Sequence, residues 1–391
     1  MKSDPQPDES TTFDELREID PTEAAERLVP LIAAETIEPG RRNDHDAQII
    51  DLLVDRRAGD PILDHLPLAS IEELADRVQI RLRLPEESSA ARPIAWQLLD
   101  VLRRSALLCR ISEAEATSAW ADRILDLVET SHFTFGHLLT QRAAGYGERT
   151  LFRVPGDGSN RRVSWRQVAG RVDLIARSLM SLSAEIDARP IAILSTNSLQ
   201  MALVDLACLS SGIVNVMVPA TSTETDVAYI LEHADVGALF VSGADQMKKV
   251  LNVRDQLPGL RQVISLDATA VSARDVTPFE HLLARSTEVT PAELQDRRDL
   301  QQIDDLATVM YTSGTTGTPK GICFSQRNIV FKRFARALAL PEIGEDDRFL
   351  CYLPLFHTFG RFFEMTGCVF WGATYCFAED PSVDTLSRQM R

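Results

Sequence analysis

Tyr311-Thr-Ser-Gly-Thr-Thr-Gly-Thr-Pro-Lys-Gly321 packs three glycines, five Ser or Thr hydroxyls and one lysine into eleven residues. Leu306-Ala-Thr-Val-Met-Tyr311 before it is apolar and β-prone, and so is Ile322-Cys-Phe-Ser325 behind it. The stretch therefore predicts a flexible, donor-rich loop held between two strands. Such a loop suits a polyphosphate. Gly314, Gly317 and Gly321 let backbone N–H groups approach an anion, Thr312, Ser313, Thr315, Thr316 and Thr318 add donors, and Lys320 supplies charge. Pro319 stiffens the turn. This is not a Walker A loop, because no Gly-Lys-Ser/Thr triplet occurs and no helix follows directly. A solvated Gly/Ser/Thr hairpin is the alternative, and the lysine argues against it. The chain has five lysines against 36 arginines. Where Arg is the default cation, a Lys in the loop points to a need for a compact point charge.

Upstream of the loop the pattern alternates. Helical periodicity over 167–182, 199–211, 225–234 and 246–256 is interleaved with β-prone runs at 190–195, 214–218, 238–241 and 262–266. Strands separated by helices of that length predict βαβ units, an α/β fold and a mainly parallel sheet. Leu151–Val154 and Arg162–Trp165 read as a hairpin about Pro155-Gly-Asp-Gly158, a turn with no assigned function. Phe133–Gly147 reads as a short helix ending in glycine.

Residues 1–130 read differently. A flexible acidic tail is expected over 1–20. Asp20-Pro-Thr-Glu23 then supplies an N-cap, a first-turn proline and a capping acid. Helices are expected near 21–36, 44–57, 70–82, 91–110 and 112–130, with further capping boxes at Ser70 and Ser112. The expected organisation is a tail (1–20), an all-α helical domain of unknown role (21–130) and an α/β domain (131–391). A protein-docking module and a bundle that merely packs on an enzyme are both open for 21–130. His45 and His65 are isolated and read as surface or packing residues.

The net charge is −16, and residues 1–130 carry −13 of it. That front end argues against nucleic acid or an anionic membrane as its partner. The six cysteines form no Cys-x-x-Cys pair and no zinc spacing, and no metal site is read from the side chains. A reducing, cytoplasmic location is expected, with peripheral membrane association left open. The N-terminus is polar and acidic, unlike a signal peptide. The most apolar stretch, Pro190–Pro219, contains Asn197, Asp205 and Asn215 and reads as buried strand–helix–strand.

The 311–321 string resembles the phosphate loop of the AMP-forming, adenylate-forming superfamily. That group includes acyl-CoA synthetases, luciferases and peptide-synthetase adenylation domains. From about 132 onward the chain is similar to its N-terminal portion. It looks nearest to long-chain fatty acid–CoA ligases, on Ile191-Ala-Ile-Leu-Ser-Thr-Asn197, Asn215-Val-Met-Val-Pro-Ala-Thr-Ser-Thr223, Ala228-Tyr-Ile-Leu231 and Tyr352-Leu-Pro-Leu-Phe-His-Thr-Phe-Gly-Arg361. The last differs from the family pattern Leu-Pro-Leu-x-His-x-Phe-Glu-Arg at Gly360, which puts any ion pair made by that acid in doubt.

The resemblance implies layered, mainly parallel sheets and a reaction. A fatty acid carboxylate attacks the α-phosphate of ATP, pyrophosphate leaves, and the acyl-adenylate passes to coenzyme A. ATP, Mg2+ and coenzyme A are the implied cofactors, with Mg2+ bridging phosphates. Residues 312–318, Lys320 and Gly321 would hold the phosphates. His357 would lie beside the acyl-adenylate, its alternative being a packed histidine bonded to backbone. Arg361 is a catalytic candidate, with a surface arginine as the alternative. Phe356, Phe359, Phe362, Phe363 and Trp371 read as an acyl wall or as core. The family's Tyr-Gly-x-Thr-Glu and Thr-Gly-Asp segments and its C-terminal lysine are not found. The chain stops within an amphipathic helix whose apolar face is Val383, Leu386 and Met390. A front portion of a longer enzyme is therefore expected. A non-catalytic nucleotide- or acyl-binding fragment, and an adenylation domain for an aryl or amino acid, remain as alternatives.

Overall fold

The computed structural model describes residues 13–33, 39–156, 161–267, 275–312, 317–380 and 382–390, with the backbone alone for 39–44. The chain divides into two units, 1–133 with 334–344, and 134–333 with 345–391. Residues 334–344, read from sequence as part of the second domain, therefore fall with the first unit.

The first unit is helical. Its described helices are Phe13–Leu16, Pro21–Ala33, Pro39–Val54, Arg56–His65, Leu68–Arg83, Ser88–Leu102, Ser105–Glu113 and Thr117–Thr130. Asp20 caps the second of these, accepting the Thr22 N–H at 2.9 Å. Several expectations need correction. The segment expected as tail contains the helix Phe13–Leu16, and Leu16 is buried. The helix expected over 91–110 breaks at Arg103–Arg104. Buried Arg104 there donates to the last carbonyls of the Pro39–Val54 helix, Leu53 O at 2.8 Å and Val54 O at 2.9 Å. Those are acceptors a helix end leaves open. Ser70 and Ser112 are not caps. Pro67 starts its helix earlier, so Ser70 lies inside Leu68–Arg83. Ser112 lies in the last turn of Ser105–Glu113, and the helix ends after it, with a left-handed turn at Glu115, φ 56°.

The second unit is α/β with two sheets. One has four strands in the order β10-β11-β1-β2, where β1 is Thr150–Val154, β2 Arg161–Ser164, β10 Arg348–Cys351 and β11 Thr374–Phe377. The other has seven, in the order β7-β6-β5-β3-β4-β8-β9. Its strands are β3 (Ile191–Leu194), β4 (Asn215–Val218), β5 (Ala238–Val241), β6 (Gln262–Ser265), β7 (Val276–Pro278), β8 (Leu306–Thr312) and β9 (Lys320–Ser325). All neighbours in the larger sheet pair parallel except β8 and β9, which are antiparallel. Every residue of β3, β4 and β5 is buried. Such short runs, apolar but for Asn215 at the start of β4, are what a parallel sheet covered on both faces requires.

The crossover helices begin and end on local signals. Ser164 and Gln167 form a capping box for Trp165–Glu185. Ser198 accepts from Met201 N at 3.1 Å to start Leu199–Ser211, which ends at Gly212 with φ 63°. The expected βαβ alternation is thus observed, with element ends moved by only a few residues. Among the described residues no helix is long and apolar enough to cross a membrane.

Candidate functional site

The loop of interest joins β8 to the edge strand β9, whose register pairs Thr312 with Lys320 and Tyr311 with Gly321. Ser313, Gly314, Thr315 and Thr316 lie outside the described residues. Thr312, Gly317, Thr318, Lys320 and Gly321 are exposed. Gly317 takes φ +88°, a left-handed value that suits glycine, with open space where a Cβ would stand. The base of the loop is held from behind. Tyr311 Oη and His233 Nδ1 are 2.6 Å apart, and Tyr229 stacks on the His233 ring. Burial pushes the Tyr311 phenol up to about 12, so it remains a neutral hydrogen-bonding group. A Cβ at Gly321 would meet the Tyr311 ring at 3.1 Å, so glycine lets the two strands close there.

Beside the hairpin lies a cavity of about 320 Å³. Thr312 and Pro319 line it from the hairpin; Phe356, His357 and Thr358 line it from the turn after β10. Its remaining walls include Tyr311, Met310, Ile230 and Asp226. The Asp226 carboxylate is already engaged, accepting the Thr223 hydroxyl at 2.8 Å at the head of its own helix. Hydroxyls, an ammonium and open glycine backbone at the hairpin form a donor set fitted to phosphate oxygens. Among the described residues no group of three or more His, Cys, Asp or Glu is arranged to hold a metal ion.

His357 is exposed at the cavity edge, its backbone N–H bonded to Pro354 O at 2.9 Å. Arg361, the second catalytic candidate, is not at the cavity. It is fully buried within the π-helix Phe359–Met365. Its guanidinium donates to both Asp205 oxygens at 2.5 and 2.9 Å, to Thr308 Oγ1 at 2.8 Å and to Asn215 Oδ1 at 3.0 Å. With those donors committed to core acceptors, Arg361 acts as an anchor rather than a group free for substrate.

Gly360 is explained by the same packing. A Cβ there would stand 2.5 Å from Pro354 O and 2.6 Å from Leu353 O, so this backbone leaves no room for the acid of the family pattern. The aromatic group divides. Phe362 and Trp371 are buried, Phe356 lines the cavity, and Phe359 is 49% exposed. Trp371 stacks on Phe349 at 5.8 Å, which is core packing.

Sequence reading missed Asn197, Asp205, His233 and Glu364. Asn197 donates to Leu353 O and accepts from Leu355 N, both at 2.8 Å. Glu364 is buried, and burial pushes its carboxyl up to about 7 against the opposing effect of the Leu353 N–H and the Cys351 thiol. The one sequence signal for Asp205 was an acid in an otherwise apolar helix.

Comparisons with known proteins bear on the family. The family model for "AMP-binding enzyme" matches residues 139–390. A long-chain-fatty-acid–CoA ligase of Mycobacterium bovis is 31% identical over 210 residues, which is 54% of this chain and 34% of that protein. One from Rattus norvegicus is 28% identical over 235 residues, 59% of this chain and 32% of that protein. The chain thus spans about a third of the length of the curated relatives it matches. The fold is similar to the crystal structure of a long-chain-fatty-acid CoA ligase, titled as such only provisionally, from Rhodopseudomonas palustris. That likeness has a TM-score of 0.55 and 20% identity and covers 66% of this chain and 61% of the other. An anthranilate CoA ligase in complex with anthranoyl-AMP gives a TM-score of 0.56 at 18% identity, over 66% and 47% of the two chains. Matched by the family model over more than half its length, the chain belongs to the AMP-binding enzyme family.

Proposed function

We propose that this protein takes part in ATP-dependent activation of a long-chain fatty acid to its coenzyme A thioester through an acyl-adenylate. A carboxylate oxygen bonds to the α-phosphorus as the bond to pyrophosphate breaks. The coenzyme A sulfur then bonds to the acyl carbon as AMP leaves. The observation that carries the reading is the meeting of Thr312 and Pro319 of the hairpin with His357 on one cavity, with Thr318 and Lys320 exposed on the same hairpin outside its lining. Thr312, Thr318 and Lys320, with Ser313, Thr315 and Thr316, would hold the departing pyrophosphate. Gly314, Gly317 and Gly321 would admit it to the backbone. That is electrostatic stabilisation of charge as it develops. ATP would arrive with Mg2+, which neutralises phosphate charge. His357 would border the reacting acyl-phosphate. The fatty acid assignment is supported by the names of the curated relatives.

A second reading is nucleotide or acyl binding without turnover.

Carboxylate-dependent exchange of labelled pyrophosphate into ATP separates the two. The chain is run with long-chain, short-chain, aryl and amino acids, beside Lys320→Ala. Exchange with long-chain acids, reduced about 10²–10³-fold in the variant, is the expected result. Binding of ATP without exchange by any acid would favour the second reading.

A further inference from the structure

The turn that carries His357 is gripped on one side by the Asn197 side chain and on the other by the Arg361 backbone N–H, and neither residue lines the cavity. On the near side, the Asn197 amide spans Pro354, donating to Leu353 O and accepting from Leu355 N at 2.8 Å each. Pro354 O, held between them, receives the His357 N–H at 2.9 Å. On the far side, His357 O receives the Arg361 N–H at 3.0 Å. Arg361 is pinned to Asp205, and through Thr308 to β8, the strand that runs into the phosphate loop. Both backbone groups of His357 are thus committed, while among the described residues no side chain holds its imidazole. The ring therefore stands where its backbone puts it.

We propose that Asn197 is a positioning residue for the reaction, setting through Leu353 and Leu355 where His357 stands against the cavity. The inference rests on the role proposed above for His357. Asn197 follows β3, the middle strand of the seven, so the clamp hangs from the centre of the sheet. Its chemistry suits the task. A short amide offers one donor and one acceptor at the spacing of residues i and i+2 around a proline. Asp keeps the acceptor and loses the donor, and Ala loses both.

The test uses the 391-residue chain and the variants Asn197→Ala, Asn197→Asp and, as a control, Thr196→Ala at the exposed neighbouring position. Imidazole NMR signals, with His357 identified by its loss in His357→Gln, report the ring directly. Pyrophosphate exchange gives kcat and KM for ATP. In Asn197→Ala the His357 signal should move while the other histidines stay. Exchange kcat should fall about tenfold or more with KM for ATP changed far less, because small misplacements of reacting groups are costly. Asn197→Asp should recover part of both. An unmoved His357 signal in folded Asn197→Ala overturns the proposal. If that variant does not fold, an unmoved signal in Asn197→Asp does so. A chain that shows no exchange defeats the proposed reaction, yet the His357 spectra still judge the clamp.

Discussion

The phosphate hairpin and the His357 turn face the same cavity but are built in opposite ways. The hairpin ends in an edge strand, and Thr312, Thr318 and Lys320 stand exposed in water. The turn is tied down at each step. Asn197 holds its entrance, the Leu353 N–H stabilises the Glu364 carboxylate, and Arg361 sits in a fully buried network behind it. The difference teaches how one cavity can join an open, exposed hairpin to a turn whose backbone is fully held. The described hydroxyls and ammonium of the hairpin stand exposed. The element that presents a single imidazole spends its polar groups on its own backbone.

If that contrast is right, substitutions at the turn should cost stability and those at the hairpin should cost function. The largest effect is expected at Arg361→Ala. Removing one partner of a buried, fully bonded ion pair leaves Asp205 uncompensated, and a loss of about 3–5 kcal/mol is expected by urea unfolding. A loss below 1 kcal/mol would mean that the network is not an anchor.

The next effect is pH-dependent. Glu364 binds its proton more tightly in the folded chain than its ordinary 4.5, up to about 7. Protonation therefore stabilises the fold. This contribution is full below the unfolded value and is lost as pH rises from 4.5 to 7, by up to about 3 kcal/mol. Glu364→Gln should flatten the stability curve across that window. An identical curve in the variant would remove Glu364 from the account.

Gly360→Ala should cost about 1–3 kcal/mol, since its methyl meets two backbone carbonyls that cannot swing aside. Thermal unfolding reads this directly, and an unchanged midpoint would show that the π-helix can shift. The smallest stability effect is at Lys320→Ala, expected within about 0.5 kcal/mol because the side chain is exposed. Its loss of exchange activity should nonetheless be the largest at the hairpin. A destabilised Lys320→Ala would blur the distinction between the two regions.

Much of this was legible in the chain. Apolar runs such as Ile191–Leu194 and Ala238–Val241, alternating with capped helices, announce a parallel sheet, because only a strand covered on both faces tolerates such a sequence. The Gly/Thr/Lys loop was readable for a similar reason. A turn between two β-prone runs depends on residue types close together in sequence, and the antiparallel pairing of Leu306–Thr312 with Lys320–Ser325 follows from them.

Arg361 was not legible. Its motif suggests an active-site cation, but its chemistry is decided by Asp205, 156 residues away in sequence. Ser70 and Ser112 failed as caps for a related reason. Capping boxes are local patterns, and here an earlier proline at 67 and a left-handed turn at Glu115 fixed the helix ends instead.

The sequence by itself determined the α/β alternation and the helical character of the described residues within 21–130, both from contacts within a few residues. The tertiary structure alone decided which polar side chains are spent on holding the fold and which are left for a ligand. Asn197 and Arg361 differ from Thr312 and Lys320 in burial and in partners far along the chain. Those are properties of the packed sheet, and no local pattern encodes them.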